Sequence, residues 1–430
     1  MPVDFSKTEL GKGISLTRIY DDKFKSVSVY VFFVKKIAKE SVTADALLAK
    51  LLITSNSKIK SRTELNKELM RLYGSSIAVA SARAGDHQMI GLCANCLSDK
   101  FTIGDEKITE RVTDIMLDCI LAPDINENGF NEKYFSLRKQ DLIDTVRASV
   151  NDKRGYAIIQ ARKEIYKDEP AAIPSYGELE QAESIENLQT VEEYHDLLKN
   201  AKIELFVVGN SDIEKVVPKL TEAFIALDRG EIDSISFKVP SPVKKEVSNI
   251  EEKLDVSQTK LVMAFKTEND DVYANKLMAM LYGASPLSKL FMNVREKLSL
   301  CYYCSAGFSD TKNVMIVDSG TEQKNVETAK QEIIRQLELV AKGDFTDEEL
   351  DNTKLALCSG FKSNYDNTSD MAAWYLTQYT RGTACTPDEI CEQIRGISRE
   401  RIIKAAADMK LDTVYIVSPD EEREGADDEN

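Results

Sequence analysis

One order of elements occurs twice along this chain, and each copy pairs strand-like runs with two helices and a further pair of alternating strands. In the first half the strand-like runs are 13–20 and 26–34, the helices 43–53 and 62–72, and the following strands 76–84 and 87–96. In the second half the corresponding run is 259–265, the helices 271–281 and 286–298, and the strands 300–308 and 313–319. Apolar residues recur with period two in the strands and near 3.6 in the helices, so element type is readable from spacing. Later helices at 107–121, 135–149 and 325–342 complete each unit, and return strands are expected at 203–209 and 413–418. Hairpin-like strand pairs separated by long helices predict an α+β fold of two homologous domains, each an antiparallel sheet packed with helices.

Residues 228–248 hold Gly230, Pro240 and Pro242 among mixed charges, where neither a helix nor a central strand can continue. The expected division is therefore a first domain at 1–228, a linker at 229–248, a second domain at 249–419 and an acidic disordered tail at 420–430. With 430 residues the chain can bury more than one core. No window approaches the roughly 20 apolar residues that span a bilayer, and no basic leader opens the chain, so no membrane association and a cytoplasmic address are expected. A net charge of -16 argues against nucleic-acid partners, which require a basic face.

Eight cysteines are too sparse for a disulfide scaffold. The pairs Cys93/Cys96 and Cys301/Cys304 have zinc-ribbon spacing, but both lie in strand-like runs. Residues three apart on a strand face opposite ways, so neither pair is expected to share a metal. The only histidines, His87 and His195, are expected on the surface.

The segment Asn293-Val-Arg-Glu-Lys-Leu-Ser-Leu-Cys-Tyr-Tyr303 carries the chemistry that stands out. Arg295 sits in a helical pattern and Tyr302 opens the next strand, so a turn at Ser299 would aim both into one cleft. Together they could hold a peptide and its developing oxyanion, but neither activates water.

The stretch from Met280-Leu-Tyr-Gly through Ser288-Lys-Leu-Phe and Val294-Arg-Glu-Lys to Tyr302 resembles the "LGG-x-x-x-SRLF-x-x-VREK-x-GLAY" segment of the insulinase/pitrilysin-type (M16) zinc peptidases. Val207-Val-Gly-Asn-Ser-Asp212, Tyr176-Gly and Gly343-Asp-Phe-Thr-Asp-Glu-Glu-Leu350 with Lys354 are similar too, and the resemblance runs along nearly the whole chain. It implies the two-domain, processing-peptidase-like architecture. It also implies that Arg295 and Tyr302 match the family's Arg-x6-Tyr pair.

Active members carry H-x-x-E-H on the first helix, with a downstream Glu as third zinc ligand. Histidines at i and i+4 share a helix face, and the Glu between them is the general base. The resemblance puts Ala46, Ala49 and Lys50 at those positions, and the third ligand near Arg138, within a few residues. None of these side chains supports zinc, and the two cations would repel it, so no cofactor and no metal are expected on this chain.

Family members often work in pairs in which a zinc-less subunit supplies the Arg/Tyr pair. The resemblance therefore implies a zinc-bearing partner of the same family and an extended peptide as substrate. It also points to the zinc-less member of a bacterial pair linked to modification of elongation factor P. Two copies could associate when the partner is absent. A peptide-binding or assembly protein with no part in bond cleavage stays open as the alternative. An autonomous hydrolase is disfavoured because neither histidine lies near a nucleophile elbow and no phosphate loop is present.

Overall fold

The computed structural model describes residues 4–420; all but Asp420 of the expected acidic tail lies outside the described residues. The chain forms two compact units. The first comprises the chain up to Arg147 with Ile173–Phe237 and Asn364–Ala384; the second comprises Ala148–Ala172, Lys238–Ser363 and the chain from Cys385 onward.

The first unit is built on β1 (Asp4–Gly11), β2 (Ile14–Tyr20), β3 (Ser26–Lys36), β4 (Ser76–Ala84) and β5 (His87–Leu97). A small ribbon, β6 (Ile125–Asn126) with β7 (Gly129–Phe130), stands apart, and β8 (Lys202–Gly209) returns into the main sheet. The sheet order is β1-β2-β8-β3-β5-β4, antiparallel throughout except for the β2–β8 pair.

Strand β3 shows why this sheet is two-faced. Val27, Val29, Val31 and Phe33 alternate with Ser28, Tyr30 and Phe32, and the first set enters one core with Leu47, Leu48 and Leu51 of helix Val42–Leu52. Each such side chain contributes about 1.5–3 kcal/mol relative to exposure. The Thr368–Arg381 helix belongs to the same unit and is placed by the second set: the Ser28 and Thr368 hydroxyls are 2.7 Å apart. Its Tyr375 ring stacks on Phe5 at 4.3 Å, and Trp374 is buried, as an aromatic stripe at helical spacing predicts.

The second unit carries β9 (Ser248–Leu254), β10 (Thr259–Lys266), β11 (Tyr303–Ser309), β12 (Val314–Thr321) and β13 (Lys410–Pro419). Their order is β11-β12-β10-β13-β9, with only β13–β9 parallel. This repeats β4-β5-β3-β8-β2 strand for strand, including the single parallel pair. Helix Lys153–Ile165 packs on this sheet through Ala157 and Ala161, both fully buried, whose small side chains allow close approach to Val262, Ala264 and Val417.

The sequence expectation differs from this architecture in three places. The units are not continuous segments, because residues 148–172 group with the second and 364–384 with the first; amphipathic periodicity marks a buried face without saying which sheet buries it. Strands β1 and β9 lie at the sheet edges with mostly polar sequences, DFSKTELG and SNIEEKL, which give weak alternation. The helix expected at 286–298 is a wide-turned π-helix over Leu290–Lys297, preceded by another at Met280–Ala284. Gly74 has φ +70° in the turn before β4, whereas at Gly283 an added Cβ would lie 2.6 Å from that of Ala306.

Candidate functional site

In the second unit, the Leu290–Lys297 π-helix ends in Ser299, a non-glycine residue at φ +50°. The Leu298 amide donates to the Asn293 carbonyl (3.1 Å) and the Leu300 amide to that of Val294 (3.0 Å), closing the turn. The Tyr302 amide then donates to the Gly320 carbonyl (2.8 Å), just ahead of β11. A left-handed residue between helix and strand reverses the chain within a few residues. As a result Arg295, Ser299, Cys301 and Tyr302 line one open cavity of about 340 Å³ together with Glu296, Glu322 and Asn325.

Both candidate side chains are accessible, Arg295 at 41% and Tyr302 at 52% exposure. The guanidinium lies 4.6 Å from the Phe291 ring centroid, with its Nε 3.7 Å from the neighbouring Glu296 carboxylate. An exposed pair of that length is worth about 0–1 kcal/mol and leaves the guanidinium able to exchange partners. Lys324, and to a smaller extent Tyr302, hold the Glu322 carboxyl below its usual range. The site thus offers a planar cation, a phenol and two carboxylates, Glu296 and Glu322. It can grip a peptide carbonyl through charge-assisted and neutral hydrogen bonds.

Behind this cavity the cysteine geometry departs from the sequence expectation. Cys301 precedes β11, so the opposite-face rule does not apply to it, and its thiol is close enough to that of Cys304 for the two to interact electrostatically. That contact, assisted by Ser319 and Arg295, lowers the Cys301 pKa, while the Cys304 pKa is raised by the same contact and by burial. Cys93 and Cys96 do lie within β5, and Cys96 enters the core while Cys93 stays half-buried.

In the first unit, the positions of the degenerate zinc motif are brought together. Ala46, Ala49 and Lys50 of the Val42–Leu52 helix line a cavity of about 490 Å³. Its other walls come from Val79, Ser81, Ala82 and Arg83 of β4, from Gln88, Met89 and Ile90 of β5, from Leu142 and Thr145, and from Ser175 and Tyr176. Arg138 is not among them. Its Nε donates to Thr54 Oγ1 (3.0 Å) and its Nη1 to Asp141 (2.7 Å), beside the C-terminal end of that helix, where a cation is favoured. Leu142 and Thr145, further along Arg138's own helix, line the cavity with the motif instead.

These residues do not fit zinc. Two alanines have no donor atoms, the lysine ammonium is a cation, and Leu142 in the cavity wall is apolar. Among the described residues, no three His, Cys, Asp or Glu side chains are gathered as metal ligands. His195 is exposed. His87, expected on the surface, is instead 7% exposed and packs edge-on against Phe237 at 5.4 Å. It lies in the first residue of β5, where the adjoining Gly85 turn had suggested exposure, and burial lowers its pKa.

The comparisons with known proteins agree with this geometry. A family model described as the peptidase M16 inactive domain matches residues 187–357. The probable inactive metalloprotease YmfF of Bacillus subtilis (strain 168) is 25% identical over 411 residues, covering 94% of this chain and 96% of its own length. A conserved protein from Enterococcus faecalis V583 superposes with a TM-score of 0.88 at 24% identity, covering 97% of this chain and 99% of its own. The peptidase M16 inactive domain from Pseudomonas fluorescens does so at 0.78 and 17%, covering 98% and 99%. No helix among the described residues is long and apolar enough to cross a membrane. With a degenerate motif on its first helix, the chain matches the M16 inactive domain over part of its length and is similar along nearly all of it to a probable inactive metalloprotease.

Proposed function

We propose that this chain is the zinc-less subunit of a two-chain M16-type peptidase, which presents Arg295 and Tyr302 to an extended peptide whose bond is broken by the chemistry of a zinc-bearing partner. The observation that carries the reading is that both side chains line one open cavity while the motif positions Ala46, Ala49 and Lys50 offer no metal ligand. The guanidinium would hold a substrate carbonyl as a bidentate donor, and the phenol would donate to the oxygen on which charge develops.

The test is co-expression with a zinc-bearing M16 chain that retains H-x-x-E-H, followed by metal analysis and peptide turnover. One zinc per pair, none on this chain alone, and a loss of turnover in the Arg295→Ala, Tyr302→Phe double variant are expected. Full turnover by that double variant in an intact complex would leave peptide binding or assembly as the function.

A further inference from the structure

The degenerate motif has left a cavity, and its charge is opposite to that of the protein around it. The chain carries 72 acidic and 56 basic residues. Yet the lining includes no Asp or Glu and two cations, Lys50 and Arg83. The Arg83 Nη1 donates to the Ile173 carbonyl (2.6 Å), which ties that side chain to the wall. Among the described residues the Lys50 ammonium makes no ion pair and no side-chain hydrogen bond, and the Thr54 hydroxyl donates to the Lys50 main-chain carbonyl at 2.8 Å.

The buried carboxyl on the same helix is engaged elsewhere. Asp45 accepts from Gln88 Nε2 (2.6 Å), lies 3.7 Å from the Lys35 ammonium, and is not among the residues that line the cavity. Burial raises its pKa well above the carboxylate range. The remaining walls are mainly apolar, so a charge contact inside them is strengthened by the low local dielectric.

One wall of the cavity is β4, and β4 is an edge strand, bonded on one side to β5 only. Its free edge offers main-chain donors and acceptors to a further strand, the mode by which extended peptides are held without regard to sequence. An edge strand beside an acid-free, cationic pocket specifies a ligand with an extended backbone and an anionic group.

We propose that the first-unit cavity binds the carboxylate of an extended peptide laid along the free edge of β4, with the Lys50 ammonium as the charge contact. The carboxylate is either the peptide's C-terminus or an Asp or Glu side chain. The site uses the position of the lost metal centre for recognition. It shares the extended peptide with the reading above but needs neither a partner nor Arg295 and Tyr302, so each can fail without the other.

The experiment uses the full chain alone and fluorescein-labelled peptides the length of β4, 9 residues. Their sequences alternate Val and Thr in three forms: free C-terminus, C-terminal amide, and C-terminal amide with one central Glu. Fluorescence anisotropy should show roughly tenfold tighter binding of at least one carboxylate form than of the neutral amide, the scale of one charge-assisted hydrogen bond. Whichever carboxylate form gains identifies the source. Lys50→Gln and Lys50→Glu should abolish that gain without weakening the neutral peptide, and Lys50→Arg should keep it. Circular dichroism and melting of each variant establish that it is folded. Equal binding of all three peptides, no binding of any, or an undiminished carboxylate preference in folded Lys50→Glu would each overturn the proposal.

Discussion

The two sheets share one strand order, yet the functional candidates occupy different places on them. In the first unit the cavity lies against the first helix, whose inward positions are Ala46, Ala49 and Lys50. In the second it lies at the end of the second helix, where Arg295 and Tyr302 flank a left-handed turn. The first unit has a left-handed residue before β4 as well, Tyr73 at φ +57°, so the backbone device is common to both copies. Duplication preserved the scaffold while side chains diverged, and the chemistry follows the side chains rather than the fold.

That contrast predicts effects of different sizes. The largest is on turnover by a reconstituted pair: Arg295→Ala with Tyr302→Phe should lower kcat/KM by about a hundredfold, the scale of an oxyanion-hole donor. Both side chains are exposed, so the melting temperature should hardly move; a large thermal shift with unchanged kinetics would reverse the assignment. The second effect concerns metal. Ala46→His, Ala49→Glu and Lys50→His together should bind zinc only weakly, because Leu142 supplies no third ligand. Adding Leu142→Glu should raise zinc retained after dialysis, measured by plasma emission, and failure to do so would show that another residue faces the motif.

Smaller still are the effects on folding. Gly283→Ala should destabilise by about 1–3 kcal/mol in urea titration, because its Cβ would meet Ala306 and Leu290 in a packed core. Gly74→Ala should cost about 1–2 kcal/mol, arising from φ +70° alone since nothing crowds the position. The smallest effect is pH-dependent. Burial depresses the His87 pKa in the folded chain, so the unfolded chain takes up the proton first as pH falls below its unperturbed value of about 6.5. The neutral imidazole therefore costs nothing above that value, and stability is lost as pH falls toward the folded pKa. His87→Gln should flatten this acid-side slope in melting curves between about pH 7 and 5; an unchanged slope would assign it to other groups.

Much of this was legible from residues alone. The strands β3, β4 and β5 and the helix at Val42–Leu52 follow from alternation and helical spacing, because each buries one continuous apolar face. The turn that places Arg295 and Tyr302 on one cavity is local, spanning one helix end and one strand start, so spacing foreshadowed it. The edge strands β1 and β9 were not legible, since a strand bonded on one side needs less apolar surface. Nor was the burial of His87, which depends on Phe237, far away along the chain. The Cys301–Cys304 approach was misread because the strand begins at Tyr303 rather than Leu300.

The amino-acid order settles what these side chains are able to do: with no histidine on the first helix and its one carboxylate, Asp45, engaged by Gln88, there is no metal centre to build, and an Arg/Tyr pair can bind but not ionise water. Only the folded chain decides what those groups meet. Helices 153–165 and 368–381 each pack in the unit formed mainly by the other half of the sequence. A cavity free of acids forms around Lys50 from segments more than a hundred residues apart, as Lys50 and Tyr176 show. Local periodicity fixes which face of an element avoids water, but the partner that covers that face is chosen by packing between distant segments, which no local pattern encodes.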